Sequence, residues 1–348
     1  MILTLPALPP FGVGALWQVM SSFATGPWAV ITLIGEILAV LWYVNGVRKL
    51  AARSRRWPRG RTVAFLGGVA AIALSWQSGV ALYASQVFTV HIIQHLAMML
   101  GAPVLLALGA PVTLAAQTMS RDSKTRMLRL LRSRLARLLT NPVVAGTGNY
   151  GLMFWFFLDH GIVVSMDHAP LMDLVNCAFL LFGCLTWWPI VSPDYIGRRR
   201  YAYPMRVLMG VSGMPFDTIL AITLLAGGAS ASIAPGMYSL ASVEAGAEVF
   251  WILVMMMSGL ATAVPAAQWL SNEQRRSVRA DDLLDSRGRA KGISRYGFWG
   301  EGVEVDDEGT MVVPWARVAT PGVAAPGAVE AGRSGGPGAP LADGAAPG

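Results

Sequence analysis

Long apolar stretches alternate along this chain with short segments dense in arginine. A membrane-spanning helix needs about 20 mostly apolar residues. Seven stretches meet that requirement, at about 27–47, 63–84, 87–110, 143–166, 170–191, 205–226 and 246–268. The third apolar run continues to about residue 118, too long for one upright span, and Pro103 and Pro111 are expected to kink it or end it. Beyond about residue 271 the pattern is lost. The chain turns polar and then becomes "PGVAAPGAVEAGRSGGPGAPLADGAAPG", a composition that cannot bury a core and reads as disordered. A short ordered piece around Trp299 and Trp315 is left open. The pattern thus predicts an all-α fold: a polytopic bundle of seven transmembrane helices over 1–270 and a cytoplasmic, largely disordered tail over 271–348.

The arginines orient the spans. "RKLAARSRRWPRGR" follows the first, "SRDSKTRMLRLLRSRLAR" the third, "GRRR" the fifth and "NEQRRSVR" the seventh, whereas the loops after the second, fourth and sixth carry no Lys or Arg. The positive-inside rule then places the N-terminus outside and the C-terminus inside. The first apolar run lacks a basic segment and a small-residue cleavage site before it, so no cleaved signal peptide is expected.

Composition agrees. Of 348 residues 54% are hydrophobic and 14% charged, and the mean hydropathy is +0.51. A soluble domain carries about 25% charged residues. The net charge of +7 is placed as membrane topology places it and calls for no nucleic-acid partner. The two cysteines, Cys177 and Cys184, lie seven apart in one apolar run and read as core residues, not a disulfide framework.

Within this apolar background "HIIQH" puts His91 and His95 on one helix face, with β-carbons about 5–6 Å apart. A zinc protease would need Glu directly after the first His; this chain has Ile92. Ionisable groups inside spans are costly and mark function by default. Counting depth at 1.5 Å per residue, Glu36, Trp76, Gln77, His91, His95, Asp159, His160, Asn176, Asp217, Glu244 and Glu248 fall nearly all in the outer half of the spans or at their outer ends, and His168 in an outer loop. This segregation predicts one outward-facing polar pocket. The alternative is that each group merely satisfies a hydrogen bond between helices.

The stretch "HIIQHLAMMLGAPVLLALGAPVTLAAQ" resembles the H-M-x-Q-H-M…P-x-L-L-x-L-G-x-P-x-T-L signature of the CtaG-type cytochrome c oxidase assembly factors. "YVNGVRKLAARSRRWPRGR", "SWQSGVALYASQVFTVH", "FLLFGCLTWWPIVSPD" and "YPMRVLMGVSGMPF" extend the resemblance over about 25–285, nearest to actinobacterial members. It implies a multi-pass protein of the bacterial plasma membrane, without catalytic turnover, that handles copper for a haem–copper oxidase and has oxidase subunits and the lipid bilayer as partners. His91 and His95 match the family's histidine pair and Gln94 its Gln. The chain departs where the family has His in the fifth span, here Asn176, and where it has M-P-F-H in the sixth, here Asp217. The family's Asp-Gln pair before the seventh span has no recognisable match in "VEAGAEVFW".

The resemblance therefore implies a copper site of His91 and His95 with Asp217, His160 and Asn176 as further candidates. Copper(I) prefers thioether, thiolate or imidazole, and carboxylate suits harder ions, so Met98, Met99, Met172 or Met214 is a natural addition. Two rivals stand beside it: a metal-free scaffold of the same family, and a haem-binding electron carrier in which His91 and His95 face His160 and His168.

Overall fold

The computed structural model describes residues 26–84, 87–159, 161–194, 201–226, 238–290, 304–305 and 311–312. Among these, helices occupy all seven apolar stretches. They are α1 (Pro27–Ala52), α2 (Arg59–Gln77), α3 (Gly79–Ala84), α4 (Phe88–Leu96), a π-turn (Ala97–Gly101), α5 (Ala102–Leu108), α6 (Pro111–Thr118), α7 (Arg121–Leu131), α8 (Arg134–Leu139), α9 (Pro142–Leu158), α10 (Gly161–Asp167), α11 (Ala169–Val191), α12 (Tyr203–Val211), α13 (Met214–Leu225) and α14 (Leu240–Ala290). The chain divides into two compact units, 1–273 and 274–348. In the second, β1 (Glu304–Val305) and β2 (Met311–Val312) form an antiparallel pair, a departure from an all-α fold lying between Trp299 and Trp315. The Gly/Ala/Pro-rich tail and the segment before residue 26 lie outside the described residues.

Five helical stretches are long and apolar enough to cross a membrane: Pro27–Ala52, Phe88–Thr118, Pro170–Val191, Tyr203–Leu225 and Leu240–Leu283. Two of the seven expected spans fall short of this, and each for a local reason. The second begins with Arg59 and Arg61 and breaks at Ser78, whose backbone is extended and whose hydroxyl bonds the Leu74 carbonyl, so α2 and α3 are separate. The fourth breaks at Asp159, leaving α9 at 17 residues before α10. Gly161 permits the fold-back there, because a β-carbon would fall 2.5 Å from the Phe156 α-carbon.

The third span bends as its prolines require. Pro103 has no N–H to give the Met99 carbonyl, and the π-turn Ala97–Gly101 stands at this place. Ala110, at φ 52 and ψ 49, then separates α5 from α6. The new N-terminus of α6 is capped from afar: Asp194 accepts hydrogen bonds from the Val112 N–H (3.1 Å), the Thr113 N–H (2.8 Å) and the Thr113 hydroxyl (2.5 Å). Tyr43 donates to the Gly109 carbonyl at 2.7 Å, tying α1 to the same bend. Close by, Arg206 is fully buried and donates to the Ile190 carbonyl (2.7 Å) and Gln268 Oε1 (2.9 Å), joining α11, α12 and α14. All these ties lie at the end of the bundle that carries the arginine-rich loops.

Outward faces are apolar. Ile31, Ile34, Leu38 and Leu41 on α1 are each more than half exposed, as are Ile252, Met256 and Leu260 on α14. Contiguous exposed apolar surface on this scale fits a lipid solvent, not water. The five spans make the protein a multi-pass membrane protein.

Candidate functional site

His91 and His95 project from α4 into an aromatic box. The His91 ring stacks on Phe156 at 5.6 Å and 13° and on Phe88 at 6.3 Å and 7°; the His95 ring meets Phe156 edge-on at 4.6 Å and Phe179 at 4.9 Å. Both imidazoles are 1% exposed. The phenylalanines come from α4, α9 and α11, so three helices fix the two rings.

The hydrogen bonds assign the tautomers. The Tyr238 hydroxyl donates its single hydrogen to the Ala84 carbonyl at 2.7 Å. His91 Nδ1 lies 3.3 Å from that carbonyl and 3.4 Å from the Tyr238 oxygen, both acceptors, so Nδ1 carries the His91 hydrogen. His91 Nε2 is then a bare lone pair. His95 Nε2 stands 3.0 Å from it and must be the donor. His95 Nδ1 is left as an acceptor, buried and without a hydrogen-bond partner. The pair thus presents two ring nitrogens aimed at one point, and their joint occupant here is a single proton.

His91 also lines a cavity of about 590 Å³, together with Gln94, Asn176 and Asp173 as polar groups and Met166 and Met172 as thioethers. The two helix breaks create it: α3 contributes Ala81 and Ala84, and α10 contributes Ser165 and Met166. Its walls are held by cross-links. Trp76 donates to Asp173 Oδ1 (2.9 Å) and Gln94 to the Ser75 carbonyl (2.8 Å). Beside it, Gln77 donates to Glu36 Oε1 and to Thr32 Oγ1, both at 2.9 Å. Asn176 Oδ1 is buried with no donor.

The expected site residues are therefore divided. His91 and Asn176 line the cavity, and His95 does not, but its Nε2 stands 3.0 Å from that of His91. Asp217 does not line it; it sits on α13, where the adjacent Phe216 stacks on Tyr150 of α9 at 5.0 Å. Equal depth does not ensure equal rotation about the helix axis, and depth was all the pattern supplied. His160 lies outside the described residues. His168 is exposed at the N-terminus of α11. Among the described residues no three His, Cys, Asp or Glu side chains gather closely enough to hold one ion. Tyr238, 147 residues from His91, carries no signal in the sequence that would have joined it to the pair.

The fold and the site define a class: a multi-pass membrane protein with a buried, mutually hydrogen-bonded histidine pair beside an intramembrane cavity. Residues 41–272 match the model of the cytochrome c oxidase caa3 assembly factor family (Caa3_CtaG), about two thirds of the chain, and the protein belongs to that family. Proteins named as uncharacterized in Mycobacterium leprae, Mycobacterium bovis and Mycobacterium tuberculosis are similar to it. The first is 29% identical over 291 residues, covering 77% of this chain and 43% of the relative; the other two are 29% identical over 282 residues, covering 74% and 42%. The chain spans less than half the length of these relatives. No solved structure matches the chain.

Proposed function

We propose that this protein serves the assembly of a haem–copper cytochrome c oxidase by passing copper through the His91–His95 site, without catalytic turnover. The observation that carries the reading is the 3.0 Å approach of the two Nε2 atoms beside a cavity lined by Met166 and Met172. Two imidazoles and thioethers are the donor types copper(I) prefers. A copper ion would take the place of the proton the two rings share. His95 would then carry its hydrogen on Nδ1, the nitrogen that no hydrogen bond engages. His91 keeps its Nδ1 hydrogen bonds to Ala84 and Tyr238, the usual support for a metal-bound imidazole. Asn176 orients from the cavity wall, His160 is the further imidazole candidate, and Asp217 stays outside this donor set.

Topology belongs to the same reading: seven crossings in a bacterial plasma membrane, N-terminus outside, the cavity opening outward and the arginine-rich end in the cytoplasm. Oxidase subunits are the partners that the family name implies. The haem alternative needs a second axial ligand from another helix; of its two candidates His168 is exposed at the N-terminus of α11 and His160 lies outside the described residues.

The test is copper content of the purified protein, with His91→Ala, His95→Ala and the double variant. Each single change is expected to remove nearly as much copper as both, and to lower assembled oxidase at unchanged membrane levels of the protein. Copper content and oxidase activity unaltered in the double variant would leave the pair a structural hydrogen bond and the protein a metal-free scaffold. A Soret band in the wild type would favour haem.

A further inference from the structure

Between α6 and α9 the chain builds a second depression, of about 560 Å³, lined by Arg129, Arg132, Arg134 and Arg137 with Leu128 and Thr125. Its geometry comes from a helix break. Ser120 caps α7, Ser133 caps α8 by accepting from the Ala136 N–H at 3.1 Å, and the chain turns between them at Arg132. Arg129 and Arg132 close α7, Arg134 and Arg137 belong to α8, and the turn brings the two i, i+3 pairs around one hollow.

Three observations say what fills it. The four guanidinium groups make no hydrogen bond or ion pair with any described residue, and the segment 119–141 has seven basic residues against one acid, Asp122. The segment also exposes apolar side chains: Leu130 is 71%, Leu135 64% and Leu138 56% exposed. Finally, α6 ends at Thr118, the end of a spanning stretch, and α7 starts at Arg121. Two intervening residues reach about 7 Å, which holds the depression at headgroup depth. A cationic hollow flanked by exposed leucines at that depth matches an anionic phospholipid, with phosphate among the arginines and acyl chains along the leucines.

We propose that Arg129, Arg132, Arg134 and Arg137 form a binding site for the phosphate of an anionic membrane lipid. Guanidinium suits the task because its planar fork meets phosphate oxygens two at a time. The site stands apart from the histidine pair and does not depend on copper handling.

The full-length protein, purified in mild detergent, is equilibrated with mixed micelles of phosphatidylglycerol and phosphatidylcholine, and the lipid retained per protein is measured by mass spectrometry. The wild type is expected to retain phosphatidylglycerol preferentially. The R129Q/R132Q/R134Q/R137Q variant is expected to lose that preference by about tenfold or more, because the basic residues carry the attraction to a charged headgroup. Replacing the four by Lys is expected to restore part of it. Equal retention by wild type and Gln variant overturns the proposal, as does inorganic phosphate at millimolar concentration displacing the lipid fully, which would mark a site for the free ion. Thermal melting checks the fold; should the fourfold variant not fold, R129Q/R132Q and R134Q/R137Q carry the test, and loss of preference in neither overturns it.

Discussion

The α-carbon of Gly183 on α11 rests on the main-chain carbonyl of Met99, the oxygen that Pro103 leaves without its helical N–H. A β-carbon at Gly183 would fall 2.3 Å from that oxygen and 2.8 Å from the Pro103 ring. The π-turn below the histidine pair is thus packed backbone to backbone against the helix that bears Asn176. Gly183→Ala must push α11 away from it. The expected loss is about 1–3 kcal/mol, read as a lowered melting temperature in detergent. Gly146→Ala on α9 is the control: a β-carbon there meets nothing within 4 Å, and helix propensity alone makes the change neutral or stabilising by up to about 1 kcal/mol.

Tyr238→Phe removes the hydroxyl that holds the Ala84 carbonyl and stands beside His91 Nδ1. The fold should survive, since the ring keeps its edge-on contact with Phe88 at 5.2 Å. Losing such a supporting partner typically costs 10–100-fold in metal affinity. Copper titration of Tyr238→Phe should therefore show weakened binding of about that size, with His91→Ala weaker still. Wild-type affinity in Tyr238→Phe would remove the tyrosine from the site.

Asp194→Ala leaves the N-terminus of α6 with two uncapped N–H groups. A lost N-cap costs about 0.5–2 kcal/mol, and Asp194 supplies three bonds from 81 and 82 residues away, so the upper part of that range is expected in a thermal melt. Asp194 lies beyond the end of α11, and burial raises its carboxyl above the usual carboxylate range despite these bonds. A raised pKa gives a stability contribution that is fully present below the unfolded value, near 3.8, and declines as pH rises through the folded one. Asp194→Asn should flatten that decline above pH 4 while it keeps one acceptor oxygen for the cap.

Topology is tested by reporter fusions near residues 130 and 235. The first should report the cytoplasm and the second the opposite side. Both on one side would remove the seven-crossing reading and the outward-opening cavity.

Much of this molecule was legible before folding because bilayer burial acts on whole segments. About 20 apolar residues in a row leave the chain few choices, and arginines between them bias its sides. The pairing of His91 with His95 was equally local, because i and i+4 share a helix face whatever surrounds them. Pro103 and Pro111 announced a bent third span for the same reason: neither has an N–H with which to continue the helix that precedes it.

What only the tertiary structure decided concerns rotation and long-range partners. Depth can be counted along a chain, but the angle of a residue about its helix axis follows from how neighbouring helices pack. That angle placed Asn176 on the cavity wall and left Asp217 off it. The breaks at Ser78 and Asp159, hidden inside apolar runs that read as continuous spans, open the cavity because Ser78 bonds its own helix and Gly161 tolerates a close return. Tyr238 and Asp194 act on groups 147 and about 80 residues away. No local pattern encodes such a partner, because the contact exists only once the helices between the two have packed.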